Sequence, residues 1–193
     1  MELSFLPGNP LLRLGRLLDE AEAAALFHQL ITDTRWNDGS YMAAGRRFRL
    51  PRLQAWHADE GIDYRYADNL HNSHTWTPAL LALRERVCAA SGHDFNAVLL
   101  NLYRNGLDTV GWHTDDEPDL GPAPVIASVS LGATRHFAVR PRPAGEARHI
   151  RLLSGTLLVM EAPFQQAWEH AVPEEPEITA PRLNLSFRKV VAR

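Results

Sequence analysis

The 193-residue chain has one cysteine, Cys88, and one lysine, Lys189. A single thiol excludes an internal disulfide and any multi-cysteine metal cage, so a bound metal would have to be held by histidine and carboxylate. Nineteen of the twenty basic residues are arginine, whose planar fork suits carboxylate and phosphate better than an ammonium does. Long apolar runs are missing too. None approaches the roughly 20 residues that span a bilayer, and the opening MELSFLPGNPLLRLGRLLDE lacks the basic start and small-residue cleavage site of a signal peptide. The expectation is a cytoplasmic protein with no membrane association. Internal repeats and low-complexity linkers are also absent, and this length suits one well-cored domain better than two.

Net charge is small, −3, which speaks against non-specific binding of polyanions. Its distribution is uneven. From Arg35 to His57 five arginines (35, 46, 47, 49, 52) stand against Asp38, and from Arg135 to Arg151 five more (135, 140, 142, 148, 151) stand against Glu146; each stretch carries +4.

The first half reads as helix at two places. DEAEAAALFHQLITD has Asp19 as its N-cap, and TPALLALRERVCAASG has Thr77 as cap, Pro78 at the first helical position and Gly92 beyond the end. The remainder reads as short strands separated by turn residues: PRLQAWH, DYRYA, AVLLNLY, VIASVSLG, RHFAVRP, HIRLLSG, TLLVME and RLNLSFRKVV. Helices early and many strands late predict an α+β, mainly β fold: an antiparallel sandwich or jelly roll buttressed by N-terminal helices.

Acid is concentrated in VGWHTDDEPDLG, residues 110–121. In an extended segment alternate side chains share a face, which puts His113 and Asp115 together as a two-ligand pincer. His170 in AWEHAVP is available as a third. Two histidines and one carboxylate leave positions open on Fe(II) for cosubstrate and oxygen. In PRLNLSFRK the positions Arg182, Asn184, Ser186 and Arg188 fall on one face and Leu183, Leu185 and Phe187 on the other. Either this is an edge strand with a solvated polar face, or both faces are covered and the arginines meet an anion such as a small dicarboxylate.

From about Pro51 to Val190 the sequence closely resembles the AlkB-type Fe(II)- and 2-oxoglutarate-dependent dioxygenases, in their nucleic-acid dealkylation branch. The resemblance runs through PRLQAW, NLYRNGLDTVGWHTDDEPDLG, PVIASVSLGATRHF, GTLLVME, WEHAVP and PRLNLSFR. It implies a single domain with a double-stranded β-helix (jelly-roll) core, in which residues 1–50 form an N-terminal helix and substrate lid and 51–193 supply nucleotide-recognition strands and the core. It further implies that His113, Asp115 and His170 ligate iron. Arg182 would pair with the distal carboxylate of 2-oxoglutarate and Arg188 would lie near its chelating end, with Asn101, Tyr103, Asn184 and Ser186 as further cosubstrate contacts. The family's substrate region falls on Arg52, Tyr64, Tyr66, Asp116 and Glu117. Stacking rings and carboxylates are what chemistry on an extruded base requires, and unpaired acid at 116 and 117 would favour a cationic methylated base.

The implied reaction consumes 2-oxoglutarate and O2, with ascorbate as a supporting reductant, and removes the alkyl group of lesions such as 1-methyladenine or 3-methylcytosine in DNA or RNA. Formaldehyde, succinate and CO2 are released. The expected aromatic wedge for duplex opening is reduced to Tyr41 and Met42 in GSYMAAGRRF, so single-stranded substrate is expected. Nothing demands more than a monomer. Competing readings are the same chemistry in RNA modification or on a protein side chain, and a non-enzymatic jelly-roll binding module.

Overall fold

The computed structural model describes residues 2–191 except 38, 44, 45, 63, 67, 68, 72 and 73; for 41–43, 47, 64–66 and 69–71 it describes the backbone alone. In chain order the strands are β1 Ser4–Leu6, β2 Asn9–Arg16, β3 Ser40–Ala43, β4 Arg46–Arg49, β5 Leu53–Ala58, β6 Tyr64–Tyr66, β7 Asn69–His71, β8 Ala97–Tyr103, β9 Val110–His113, β10 Ile126–Gly132, β11 Arg135–Pro141, β12 Arg148–Leu152, β13 Thr156–Met160, β14 Trp168–Val172 and β15 Arg182–Arg188. The helices are α1 Glu20–Asp33, α2 Pro78–Ser91 and a single turn, α3 Phe164–Ala167.

Both long helices start where their caps predict. Asp19 accepts from Glu22 N–H while the Glu22 carboxylate accepts from Asp19 N–H, a closed capping box. Thr77 Oγ1 accepts from Leu80 N–H, and Gly92 ends α2 in the left-handed region at φ 79°. The sequence assigns no element to residues 4–16 and no helix to the second half; β1, β2 and α3 are therefore additions.

Seven strands form one antiparallel sheet in the order β1-β2-β13-β10-β15-β8-β5, and four form a second, β12-β11-β14-β9. The alternation of β15 is the key to the layering. Leu183, Leu185 and Phe187 join Leu100, Val129, Leu157 and the inner faces of α1 and α2 in one apolar cluster. On the opposite face of the large sheet, Trp56, Leu99, Ile126 and Leu158 pack against Phe137, Val139 and Val172 of the small sheet in a second cluster. The fold is a jelly roll with helices outside one sheet, and β15 is central, paired with both β10 and β8. A solvated edge strand is thereby excluded, and the polar face of β15 is buried between the sheets: Arg182 is 2% exposed and Arg188 3%.

Arg135, at the start of β11, is buried and ties two loops together. It donates to Glu175 and to the carbonyl oxygens of Asn105, Asp108 and Pro173. At the same place Gly106 N–H donates to Ile178 O and Glu175 N–H to Gly106 O, and a Cβ on Gly106 would lie 1.7 Å from Glu175 O. Among the described residues no helix is long and apolar enough to cross a membrane.

Candidate active site

The register of the small sheet brings His113 and His170 together. They are paired across β9 and β14, with ring centres 4.2 Å apart. Asp115 lies just beyond the end of β9, so convergence does not come from strand alternation alone. Its backbone N–H donates to the buried Gln165 side chain at 3.0 Å, which fixes the chain where the strand has stopped. The carboxylate then sits with Oδ1 3.9 Å from His113 Nε2 and Oδ2 3.8 Å from His170 Nε2. All three ligand atoms lie within 4.8 Å of one another.

The protonation states suit a divalent metal. His113 Nδ1 is 2.8 Å from Gly111 O; a carbonyl can only accept, so Nδ1 carries the proton and the Nε2 lone pair is available. Burial, helped by His113 and opposed by Asp115, pulls His170 down to about 3, leaving a neutral imidazole at neutral pH. Burial works to raise the Asp115 carboxyl, but Arg188, His170, His113 and Arg52 outweigh it and hold the group below the ordinary carboxylate range. Two imidazole nitrogens and one carboxylate on one side of a pocket match the facial set for Fe(II).

Arg188 Nη2 donates to Asp115 Oδ1 at 3.0 Å, with both side chains buried. Arg182 is different. Nη2 donates to Ser130 Oγ at 2.9 Å and the guanidinium lies 5.4 Å from the Tyr103 ring centre, while Nε and Nη1 have no hydrogen-bond partner. Burial draws Arg182 down to about 10, with Tyr103 working against the shift, so it is still a cation at neutral pH. A buried cation with two unused donors in a planar fork is an incomplete carboxylate site.

The rest of the polar wall is internally bonded. Asn184 Nδ2 donates to Ser128 Oγ at 2.6 Å and Ser186 Oγ donates to Asn184 Oδ1 at 3.0 Å. Asn101 Oδ1 accepts from Arg52 Nε and from Gln54 Nε2, each at 2.8 Å. All of these but Gln54, together with Tyr103, Arg182, Arg188 and the three candidate ligands, line one pocket with about 490 Å³ of empty volume.

The residues expected to meet substrate are more scattered. Arg52 is buried in this pocket, donating also to Thr109 O. Tyr64 and Tyr66 are on β6, and their side chains lie outside the described residues, as do those of Tyr41 and Met42 on β3. Asp116 is exposed but not unpaired: Arg142 Nη1 is 3.8 Å from its Oδ2. Glu117 precedes a 3-10 turn over Pro118–Leu120, so Pro118 and Asp119 shape a turn. The second arginine-rich stretch is not a continuous basic patch, because Arg135 is buried and Arg140 is paired with Glu169 and stacked 4.2 Å from the Trp112 ring centre.

Sequence reasoning did not find Gln165, Gln54, Ser128 or Ser130. The last three carried a usable signal, since Gln54 follows Arg52 at strand period and Ser128 and Ser130 alternate within VIASVSLG. Gln165 carried none; it stands on a one-turn helix with no cap.

Residues 11–188 match the family model described as the 2OG-Fe(II) oxygenase superfamily. The chain belongs to that superfamily. Its similarity to AlkB homologues is extensive. It is 41% identical over 182 residues to "Alpha-ketoglutarate-dependent dioxygenase alkB homolog 3" of Bos taurus, covering 90% of this chain and 63% of the relative. It is 37% identical over 186 residues to "DNA oxidative demethylase ALKBH2" of Mus musculus, covering 91% of this chain and 78% of the relative. A solved structure titled "The structure of OsALKBH1" superposes with a TM-score of 0.67 at 16% identity, covering 97% of this chain and 99% of that one, which is a likeness of fold. The chain thus spans 63% of the length of the AlkB homolog 3 relative. His113, Asp115 and His170 could together bind a metal, and Arg182 and Arg188 of β15 line the same pocket.

Proposed function

We propose that the protein is an Fe(II)- and 2-oxoglutarate-dependent dioxygenase that demethylates N-alkylated bases of the 1-methyladenine and 3-methylcytosine type in nucleic acid, releasing formaldehyde, succinate and CO2. One observation carries this reading. His113, Asp115 and His170 open into the same pocket as Arg182, a buried cation with two unused donors. A zinc hydrolase could use the three ligands but has no need of that arginine.

Iron, with 2-oxoglutarate and O2, supplies the oxidising chemistry when bound. The chain supplies orientation and charge. His113 and His170 would offer their Nε2 atoms, and Asp115 is steadied by Arg188 through its side chain and by Gln165 through its backbone. Arg182, with Tyr103 against its face, is the group to take the far carboxylate of 2-oxoglutarate. Arg52, Gln54 and Asn101 form a bonded wall, and Asn184 and Ser186 form another. Their rigidity orders the pocket before the cosubstrate arrives. Asp116, at the exposed edge, is the carboxylate within reach of a cationic base, and such a base would compete with Arg142 for it. Ascorbate would support turnover. The substrate is single-stranded nucleic acid, the compartment is the cytoplasm and the protein acts as a monomer in this reading.

The test is anaerobic reconstitution with Fe(II) and 2-oxoglutarate, followed by oxygen and a panel of methylated single-stranded DNA, duplex DNA, RNA and peptide. Succinate and formaldehyde in equal amounts with the single-stranded methylated oligonucleotides are expected. No succinate with any substrate would sink the reading, and equal rates on single and double strands would remove the strand preference.

A further inference from the structure

His57 and His74 lie on the other side of the large sheet from the iron pocket. They form an isolated parallel bridge, with His74 N–H donating to Trp56 O and Ala58 N–H donating to His74 O. Their ring centres are 5.5 Å apart. Both line a pocket with about 1020 Å³ of empty volume between the sheet, the end of α1 and the start of α2.

Three features make this a ligand site rather than a packed pair. The His57 Nδ1 is 2.8 Å from Thr75 O, so it carries the proton and leaves Nε2 as a lone-pair donor. That Nε2 is fully buried and has no hydrogen-bond partner, although the residue is only 6% exposed. Burial pulls His57 below the ordinary histidine range, the Thr75 carbonyl opposes this and His74 adds to it. A backbone carbonyl that fixes the tautomer and leaves the other nitrogen as the lone-pair atom is the supporting bond found behind metal-ligating histidines. Asp33, the one carboxylate in the pocket lining, stands at the end of α1, where the helix dipole favours a cation. Arg35 and the start of α2 also line the pocket and act against any cation. The two imidazoles are what favour a borderline, nitrogen-binding ion over a hard, oxygen-seeking one.

We propose that His57 and His74 form a second metal site, specific for a borderline divalent transition ion such as Zn(II), with water completing the coordination. Two imidazoles sharing a tetrahedral ion, with N–metal bonds of about 2.0–2.1 Å, hold their ring centres roughly 5–6 Å apart, and the observed spacing falls in that range. The site is built into the sheet by the paired backbones and is independent of the iron ligands.

Equilibrium dialysis of the metal-free full chain against Zn(II) tests this. Wild type is expected to bind two equivalents, one of them unaffected by His113→Ala/His170→Ala. His74→Asn and His57→Phe are each expected to bind one equivalent fewer than wild type. His74 is exposed, so His74→Asn folds even if the buried His57→Phe does not, and far-UV circular dichroism monitors both. Cu(II) bound to the His113→Ala/His170→Ala variant should show two nitrogen ligands by electron paramagnetic resonance and one after His74→Asn. Zinc stoichiometry unchanged by His74→Asn, or a copper spectrum without imidazole nitrogen, overturns the proposal.

Discussion

Arg188 Nη2 and Asp115 Oδ1 are 3.0 Å apart in a site where both side chains are 3% exposed. Each charge offsets the burial of the other. Arg188→Met leaves a buried carboxylate without its main counter-charge, which should cost the metal-free protein about 3–5 kcal/mol. Urea unfolding measures it. A divalent ion gives Asp115 a new counter-charge, so the deficit should shrink when Mn(II) is added; a deficit independent of metal would mean that the pair acts elsewhere.

Arg182 should behave in the opposite sense. Its Nε and Nη1 have no partner, so Arg182→Met removes a poorly satisfied charge and should leave the protein as stable as wild type or more so. What it should lose is the response to cosubstrate. Thermal unfolding with Mn(II) and 2-oxoglutarate is expected to shift wild type upward and to leave Arg182→Met within a degree of its ligand-free value.

Gln165 touches Asp115 through the backbone only. Gln165→Leu keeps the volume and the turn but frees the ligand loop, with an expected loss of about 10–100-fold in metal affinity, typical of outer-shell support. Without metal the variant should lose about 1–3 kcal/mol, because the buried Asp115 N–H is left without its acceptor. An unaltered affinity would show that the strand end alone places Asp115.

The acids at 115 and 116 should fail in different ways. Asp115→Ala should abolish metal binding, read by dialysis against Fe(II) or Mn(II). Asp116→Ala should keep the metal and the 2-oxoglutarate thermal shift, and raise KM for a cationic methylated base while sparing uncoupled succinate formation. Full turnover by Asp116→Ala would remove it from the substrate contacts.

Acid should destabilise the metal-free protein early. His170 has a folded value of about 3 against an ordinary 6.5, so below pH 6.5 the unfolded chain takes up a proton that the folded chain refuses. Stability then falls as pH drops from 6.5 towards 3, at up to about 1.4 kcal/mol per pH unit for a single such group. His57 is shifted the same way. Asp115, held low, adds its own loss only below the ordinary carboxylate value. Chemical denaturation at pH 7.5, 6 and 5 tests this, and a flat profile between 7.5 and 5 contradicts it.

Legibility of this site in the sequence followed periodicity. The polar face Arg182, Asn184, Ser186 and Arg188 could be read from alternation on a seven-residue strand, and burial then converted that alternation into a pocket wall. The caps at Asp19 and Thr77 were equally local and equally readable. His170 could be proposed as a ligand, but its partnership with His113 depends on a cross-strand register joining residues 57 positions apart, which no local pattern encodes. Gln165 and the β2 strand were illegible for the same reason: each is defined by what it packs against, Asp115 in one case and β13 in the other. Charge was the poorest guide. Arg135 and Arg140 counted towards a basic stretch, yet the fold spends one inside and pairs the other.

The Gly106 junction has a consequence for how the mouth of the barrel keeps its shape. The loop leaving β8, which carries Tyr103, and the segment leaving β14, which carries His170, meet there main chain to main chain, with Arg135 threaded beneath. Arg135 reinforces the seam, donating to Asn105 O on one side and Pro173 O on the other. The cosubstrate wall and the metal-bearing strand are therefore riveted to each other at one point, and a displacement of either is a displacement of both. Even a methyl group at Gly106 would act as a wedge in that seam, widening the barrel at the end where its chemistry is held, although it touches neither metal ligand nor arginine of the polar strand.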